Sequence, residues 1–215
     1  MAPDSDYAIA QERSAAKAAL DQVRQQLGKT YQPLIDGEYV QAESAVQSVN
    51  PSQPEQIVGT VGQISVAQGE QAIAAAKAAF ETWKRTPVRE RAAIISKAAD
   101  LLEQRRHELN AWMVFEGGKP LHQADAEVSE AADFCRYYAD EMERLDSEII
   151  YDVAGETGRY FYHPKGIVLV ISPWNFPLAI PTGMTVAALV TGNCALLKPA
   201  AVTSVIAAKL TEIFV

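Results

Sequence analysis

The chain has 215 residues, 48% hydrophobic and 21% charged, with 12 Gly and 11 Pro, which excludes a disordered, collagen-like or disulfide-rich polypeptide and suffices for a core. Nineteen basic against 27 acidic side chains leave a formal charge of −8 without a basic cluster, so nucleic acid is not expected as a partner. The first six residues are acidic rather than basic and no run of about 18 apolar residues occurs, so neither export nor a membrane span is expected and the chain is assigned to the cytoplasm.

Between residues 6 and 28, Ala16, Leu20, Val23 and Leu27 recur at helical spacing before Gly28, which predicts an amphipathic helix with one narrow apolar face. From Tyr31 to Gly62 the pattern changes to short β-prone runs, Leu34-Ile35, Tyr39-Val40 and Ile57 to Val61. Asp36-Gly37 and the stretch from Asn50-Pro51 to Pro54 separate them with turn chemistry, so a hairpin or two short strands belong here. Ser65 and Gln68 have capping-box spacing, and the helix they open carries Ile73, Ala76, Phe80 and Trp83 on one face. Thr86-Pro87 starts the next helix, with Thr as cap and Pro at the first position, and Ile94, Ile95, Ala98, Leu101 and Leu102 as its buried side. A third helical piece around Leu109 to Phe115 stops at Gly117-Gly118. After Pro120, the steps of three and four through Val128, Ala131, Cys135, Tyr138, Met142 and Leu145 describe a long amphipathic helix.

Arg159 to His163 reads as extended and aromatic. Gly166 then opens Ile167 to Ile171, a continuous apolar run of the kind buried on both faces of a parallel sheet. A Pro-rich loop, a helix near Ile180 to Val190, Gly192-Asn193, the apolar run Cys194 to Leu197 and a helix near Thr203 to Phe214 follow. Strand, helix, strand, helix is a βαβ unit with a right-handed crossover, so the fold class is α/β, a doubly wound parallel sheet preceded by helices. Cys135 and Cys194 lie far apart and have no metal-like spacing to the three histidines. No metal site or disulfide is therefore expected, and both cysteines read as small apolar packing residues.

Open α/β sheets place ligands at the carboxyl ends of their strands, and there this chain reads Ser172-Pro173-Trp174-Asn175-Phe176-Pro177. Two prolines stiffen the loop around Asn175. A preorganised amide N–H is what an oxyanion hole requires. An Asn in such a loop can equally serve only to satisfy loop backbone groups, and local chemistry leaves both readings open.

The loop resembles that of the NAD(P)-dependent aldehyde dehydrogenases. Further matches are Leu34-Ile35-Asp36-Gly37-Glu38, Asn50-Pro51, Phe80, Trp83, Gly118-Lys119-Pro120, Gly192-Asn193 and Lys198-Pro199-Ala200, so the resemblance runs almost continuously over 31–215. Within it, Ala126 to Ala139 is most similar to the glutamate-γ-semialdehyde (1-pyrroline-5-carboxylate) dehydrogenase branch. So is the helix ahead of Gly28-Lys29-Thr30-Tyr31, a likeness shared with bifunctional proline-utilisation enzymes.

The resemblance implies an aldehyde dehydrogenase-like fold with an incomplete Rossmann-type sheet. The implied division is an N-terminal helix over 1–30, the N-terminal part of a coenzyme-binding domain over 31–145, an oligomerisation flap over 146–163 and the first βαβ of the nucleotide-binding domain over 164–215. It implies Asn175 as the oxyanion donor, Ile171, Ser172, Pro173 and Trp174 as the loop against the nucleotide, and Lys198 on the adenosine ribose, or else a solvated strand-end lysine. Phe176 would line the aldehyde tunnel, or else be a core aromatic. Glu130 would face the substrate's ammonium, or else be a solvated or ion-paired helix residue. NAD is the implied cofactor, with NADP left open because Ala201 stands where NAD-preferring members commonly carry an acid. The implied reaction is oxidation of L-glutamate γ-semialdehyde to L-glutamate, through attack by a cysteine thiolate, by an enzyme that is a homo-oligomer when intact. The family's nucleophile, general base and pyrophosphate turn come later in its chain, so these 215 residues are expected to be an N-terminal part, inactive alone. Neither Cys135 nor Cys194 sits in the nucleophile's motif. The alternatives are a dehydrogenase for another aldehyde, such as succinate semialdehyde, and a non-catalytic interaction module.

Overall fold

The first helix, α1 (Ala10–Arg24), ends at Gln25, three residues before the expected stop at Gly28, and Gly28, at φ +82°, instead turns the chain into β1 (Lys29–Tyr31). The structure, a computed structural model, describes residues 1–215. Ala16 and Val23 form the buried stripe of α1, with Leu20 and Leu27 packed beside them.

β2 (Leu34–Ile35) and β3 (Glu38–Tyr39) make a hairpin across Asp36-Gly37. Both turn residues have positive φ, 54° and 78°, which matches the twist of the flanking strands. More β structure follows than the sequence suggested. β4 (Ser44–Asn50) pairs antiparallel with β5 (Gln53–Gln63), and β1 lies parallel on the other side of β5. β4 escaped notice because Ser-Ala-Val-Gln-Ser-Val-Asn contains only two strong β formers.

α2 (Val66–Trp83) opens on a complete capping box: the Gln68 N–H donates to Ser65 Oγ at 3.2 Å and the Ser65 N–H to Gln68 Oε1 at 3.0 Å. α3 (Val88–Gln104) starts one residue later than expected. Pro87, not Thr86, flanks it and no side chain caps it; the helical bonding begins at the Pro87 carbonyl, which accepts the Glu90 and Arg91 N–H groups at 3.0 and 3.1 Å. Ile94 is not on the buried side either. It is 50% exposed while Ile95 is fully buried, since adjacent helical residues point about 100° apart and only one of the two faces the core. α4 (Arg106–Gly117) ends at Gly118, whose φ of +62° is the left-handed cap. α5 (Leu121–Leu145) then packs across α3 and α4, closing a core around Ile95, Leu102, Leu109, Trp112, Met113 and Val128.

Residues 1–7 lie along α5. The Ser5 N–H, the Ser5 hydroxyl and the Tyr7 hydroxyl all donate to the Asp125 carboxylate, as do Asn110 and Arg106. After α5, β6 (Ile149–Val153) and β7 (Glu156–Tyr160) form a hairpin that exposes Ile149, Ile150, Tyr151, Val153 and Tyr160. β8 (Ile167–Ile171), α6 (Ala179–Val190) and β9 (Cys194–Lys198) make the parallel βαβ unit. A 3₁₀ turn at Ala201–Thr203 leads to α7 (Ser204–Thr211).

The expectation that β8 is buried on both faces is not met. Val170 is buried, but Leu169 and Ile171, which share the opposite face, are 58% and 60% exposed. The sheet has only these two strands, and nothing in the chain lies over that face at its carboxyl end. No helix is long and apolar enough to cross a membrane.

Candidate functional site

The carboxyl ends of β8 and β9 stay in register to the last rung. Ile171 pairs with Lys198, and the Ser172 N–H donates to the Lys198 carbonyl at 3.3 Å. Ile171, Ser172, Pro173 and Trp174 therefore leave the sheet beside Lys198. Ser172 is buried, whereas Ile171, Trp174 and Lys198 are exposed. The Lys198 ammonium has no ion-pair partner in the chain. The result is an apolar shelf with a cation at its edge. Ala201 follows on the 3₁₀ turn, exposed and uncharged.

The next residues are fastened from the helical layer. Lys119, between Gly118 and the start of α5, donates to the Asn175 carbonyl at 2.9 Å and to Glu127 Oε1, and its ammonium lies 4.5 Å from the centre of the Phe176 ring. The other oxygen of Glu127 accepts the N–H groups of Leu178 and Ala179 at 3.0 and 3.1 Å. α6 has no side-chain cap of its own, so the Glu127 carboxylate meets its unsatisfied donors and its positive end. The side chain of Glu127 is 1% exposed and that of Lys119 11% exposed. Asn175 is held by its backbone: its carbonyl is bonded while its exposed side-chain amide makes no hydrogen bond in the chain. Gly117 to Pro120, Gln123 and Trp174 to Phe176 enclose an open cavity of about 340 Å³ at this point.

Phe176 is thus brought together with Asn175 and Trp174 in one cavity, but Glu130 does not line it. Glu130 stands one turn beyond Glu127 on α5, half-buried and without an ion-pair partner. Burial pushes its carboxyl above the usual range and the Glu127 charge adds to this, with Lys119 pulling the other way. Phe134, one turn further, stacks on Tyr138 and crowds Gly183 of α6, where a Cβ would come within 2.9 Å of the ring.

Neither cysteine is set up as a nucleophile. Burial pushes the Cys135 thiol up to about 12 and raises that of Cys194, the reverse of activation. No three metal-ligating side chains come together.

Sequence reasoning missed two buried glutamates. Glu116 does for α7 what Glu127 does for α6: its carboxylate accepts the Val205 and Ile206 N–H groups, each at 2.7 Å, and the Ser48 hydroxyl at 2.6 Å. A signal was present for both. Glu127 lies in phase with the apolar stripe through Ala124 and Ala131, and Glu116 is four residues after Trp112 on the buried face of α4. An acid on an apolar stripe requires a buried partner.

Comparison with known proteins agrees over nearly the whole chain. The profile of the aldehyde dehydrogenase family matches residues 39–215. The chain is 46% identical over 212 residues to 1-pyrroline-5-carboxylate dehydrogenase 2 of Halalkalibacterium halodurans, covering 98% of this chain and 41% of that protein. Among solved structures, 1-pyrroline-5-carboxylate dehydrogenase from Thermus with bound NAD superimposes with a TM-score of 0.95 at 40% identity, over 99% of this chain and 42% of that one. Proline utilization A from Bdellovibrio bacteriovorus gives a TM-score of 0.95 at 39% identity, over 99% of this chain and 22% of that one. The chain spans about two fifths of the length of the curated relatives it matches.

Proposed function

The chain belongs to the aldehyde dehydrogenase family, and on that premise we propose that the gene product carrying it oxidises L-glutamate γ-semialdehyde to L-glutamate with an NAD-type cofactor. The observation that carries this reading is Asn175: a side-chain amide without an intrachain partner, on a loop held by two prolines and by the bonded carbonyl of Asn175 itself. The backbone that carries this donor is fixed before reaction, which limits the reorganisation needed to meet an oxyanion. The names of the relatives support the choice of aldehyde.

The residues at the strand ends fit a dinucleotide. Ile171 and Trp174 offer apolar surface to a base or ribose, and Lys198 brings an unpaired cation to hydroxyl oxygens. The bound cofactor would supply hydride acceptance. We assign NAD, and Ala201, which presents no carboxylate to repel a 2′-phosphate, leaves the site open to NADP as well. Phe176 lines the aldehyde's path, and Glu130 receives the substrate's ammonium. Binding of that cation would favour the charged form of Glu130, against the burial and the Glu127 charge that push its carboxyl up.

The test uses the intact gene product. Asn175→Ala should lower kcat about 100- to 1000-fold with the NAD Kd within about twofold. An unchanged kcat removes the role of Asn175. A substrate panel should favour glutamate γ-semialdehyde over succinate semialdehyde, with the preference reduced by Glu130→Gln.

The hairpin β6–β7 and the residues after it expose Ile150, Tyr151, Val153, Phe161 and Tyr162, and we assign 146–163 as a segment that meets another copy of the chain. Ile150→Glu with Val153→Glu should shift the intact product to a smaller species in size measurement.

A further inference from the structure

We propose that Lys119 and Glu127 act as a positioning pair that sets the oxyanion donor, an inference that rests on the role assigned to Asn175. The Lys119 ammonium has three partners: Glu127 Oε1, the Asn175 carbonyl at 2.9 Å, and the Phe176 ring face at 4.5 Å. Through its second oxygen, Glu127 holds the Leu178 and Ala179 N–H groups. One ion pair therefore grips the chain at Asn175 and again at Ala179, and leaves the Asn175 amide unengaged between them.

The two anchors stand on the helical layer and not on the strand that carries the loop. Gly118 turns the chain so that Lys119 reaches across, and Glu127 projects from the second turn of α5. The loop is thus located from two directions, by β8 through the Ser172 rung and by α5 through this pair. Charge-assisted bonds are shorter and roughly twice as strong as neutral ones, and a carboxylate that is 1% exposed feels little competition from water. Stiffness at this position has chemical value, because misplacing a catalytic group by about 1 Å can lower a rate on the order of 100-fold. Neither side chain needs to touch the aldehyde to have this effect.

The intact gene product tests the pair. A single substitution leaves one buried charge without its partner and can unfold the protein. The informative variant is the neutral pair Lys119→Met with Glu127→Gln, in which the introduced amide oxygen still accepts from α6. This variant should fold, lose about 10- to 100-fold in kcat and keep KM for aldehyde and coenzyme within about threefold. Lys119→Arg, which preserves the cation, should recover most of kcat. In Lys119→Met with Glu127→Leu, which strands no charge but removes the acceptor, the Leu178 and Ala179 amides should exchange hydrogen faster while the core amides do not. A folded neutral pair with kcat within about twofold of wild type, alongside an Asn175→Ala variant that is strongly impaired, overturns the pair and leaves the Asn175 role standing. An Asn175→Ala variant with normal kcat overturns both.

Discussion

The Ser48 hydroxyl donates to Glu116 at 2.6 Å, so β4 and the N-terminus of α7 meet on one buried carboxylate. Burial pushes that carboxyl up to about 7, against the pull of Ser48 and of the Ile206 and Val205 N–H groups. The folded chain then holds a proton there more tightly than the unfolded chain, whose Glu has its usual value of 4.5. The stability this group contributes is complete below about pH 4.5 and is lost as pH rises through about 7, up to roughly 3 kcal/mol. Glu116→Gln should flatten the decline in Tm between pH 5 and 8; an unchanged slope would assign the decline to another group.

Gly118 is tied to Pro51 by contact as well as by its dihedral. At φ +62° a side chain is already strained, and a Cβ would lie 2.8 Å from Pro51 Cγ, which a ring cannot easily yield. Gly118→Ala should destabilise by about 2 kcal/mol, of which about 1 kcal/mol comes from the left-handed backbone. Adding Pro51→Ala should recover the steric part and leave the backbone part. Urea unfolding of the four proteins in this cycle measures both.

Asp125 gathers donors from two places: the N-terminal segment and α4, which supplies both Asn110 and Arg106. Burial opposes its charge, but the Ser5 N–H, the Asn110 amide and the Arg106 charge win, and its carboxyl sits below the usual range. The stability it contributes is present above about pH 4 and lost as pH falls through the depressed value. Asp125→Asn should cost about 3 kcal/mol at pH 7 by leaving Arg106 unpaired, and much less at pH 2. The segment before α1 should also become the first site of limited proteolysis.

Asn193 closes the start of β8. Its Oδ1 accepts the Lys165 N–H at 2.6 Å and the Gly166 N–H at 2.9 Å, and its Nδ2 donates to the Thr191 hydroxyl. Asn193→Ala should destabilise by about 2 kcal/mol, and Asn193→Asp, which retains the acceptor, by less. Thermal unfolding at pH 7 separates the two; equal losses would mean that the acceptor is not what matters.

Local chemistry was legible and long-range chemistry was not. Ser65 and Gln68 announce their helix because both partners fall within four residues, and Asp36-Gly37 announces its hairpin for the same reason. The Pro-Trp-Asn-Phe-Pro loop stands out for its composition. Ile94 and Ile95 cannot be told apart in a one-dimensional pattern, because which of them faces the core is decided by where α5 packs. Leu169 and Ile171 read as buried, since an apolar run says what a strand can tolerate and not what covers it. Lys119 and Asn175 are 56 residues apart, and only the fold makes them neighbours. Glu127 and Glu116 gave a weaker hint, a charge on an apolar stripe, without naming the helix each would cap.

The order of these capping contacts along the chain matters for how the protein is made. Glu127 precedes the Leu178 amide it holds by 51 residues, and Glu116 precedes Val205 by 89. A ribosome adding about 5–20 residues per second needs seconds to cover either interval, whereas helices form within about a microsecond. Each carboxylate can therefore already be in place on a formed helix when its target segment emerges. Vectorial synthesis presents α6 and α7 to sockets that are waiting for them, and the crevice between the strands is built from the helical side.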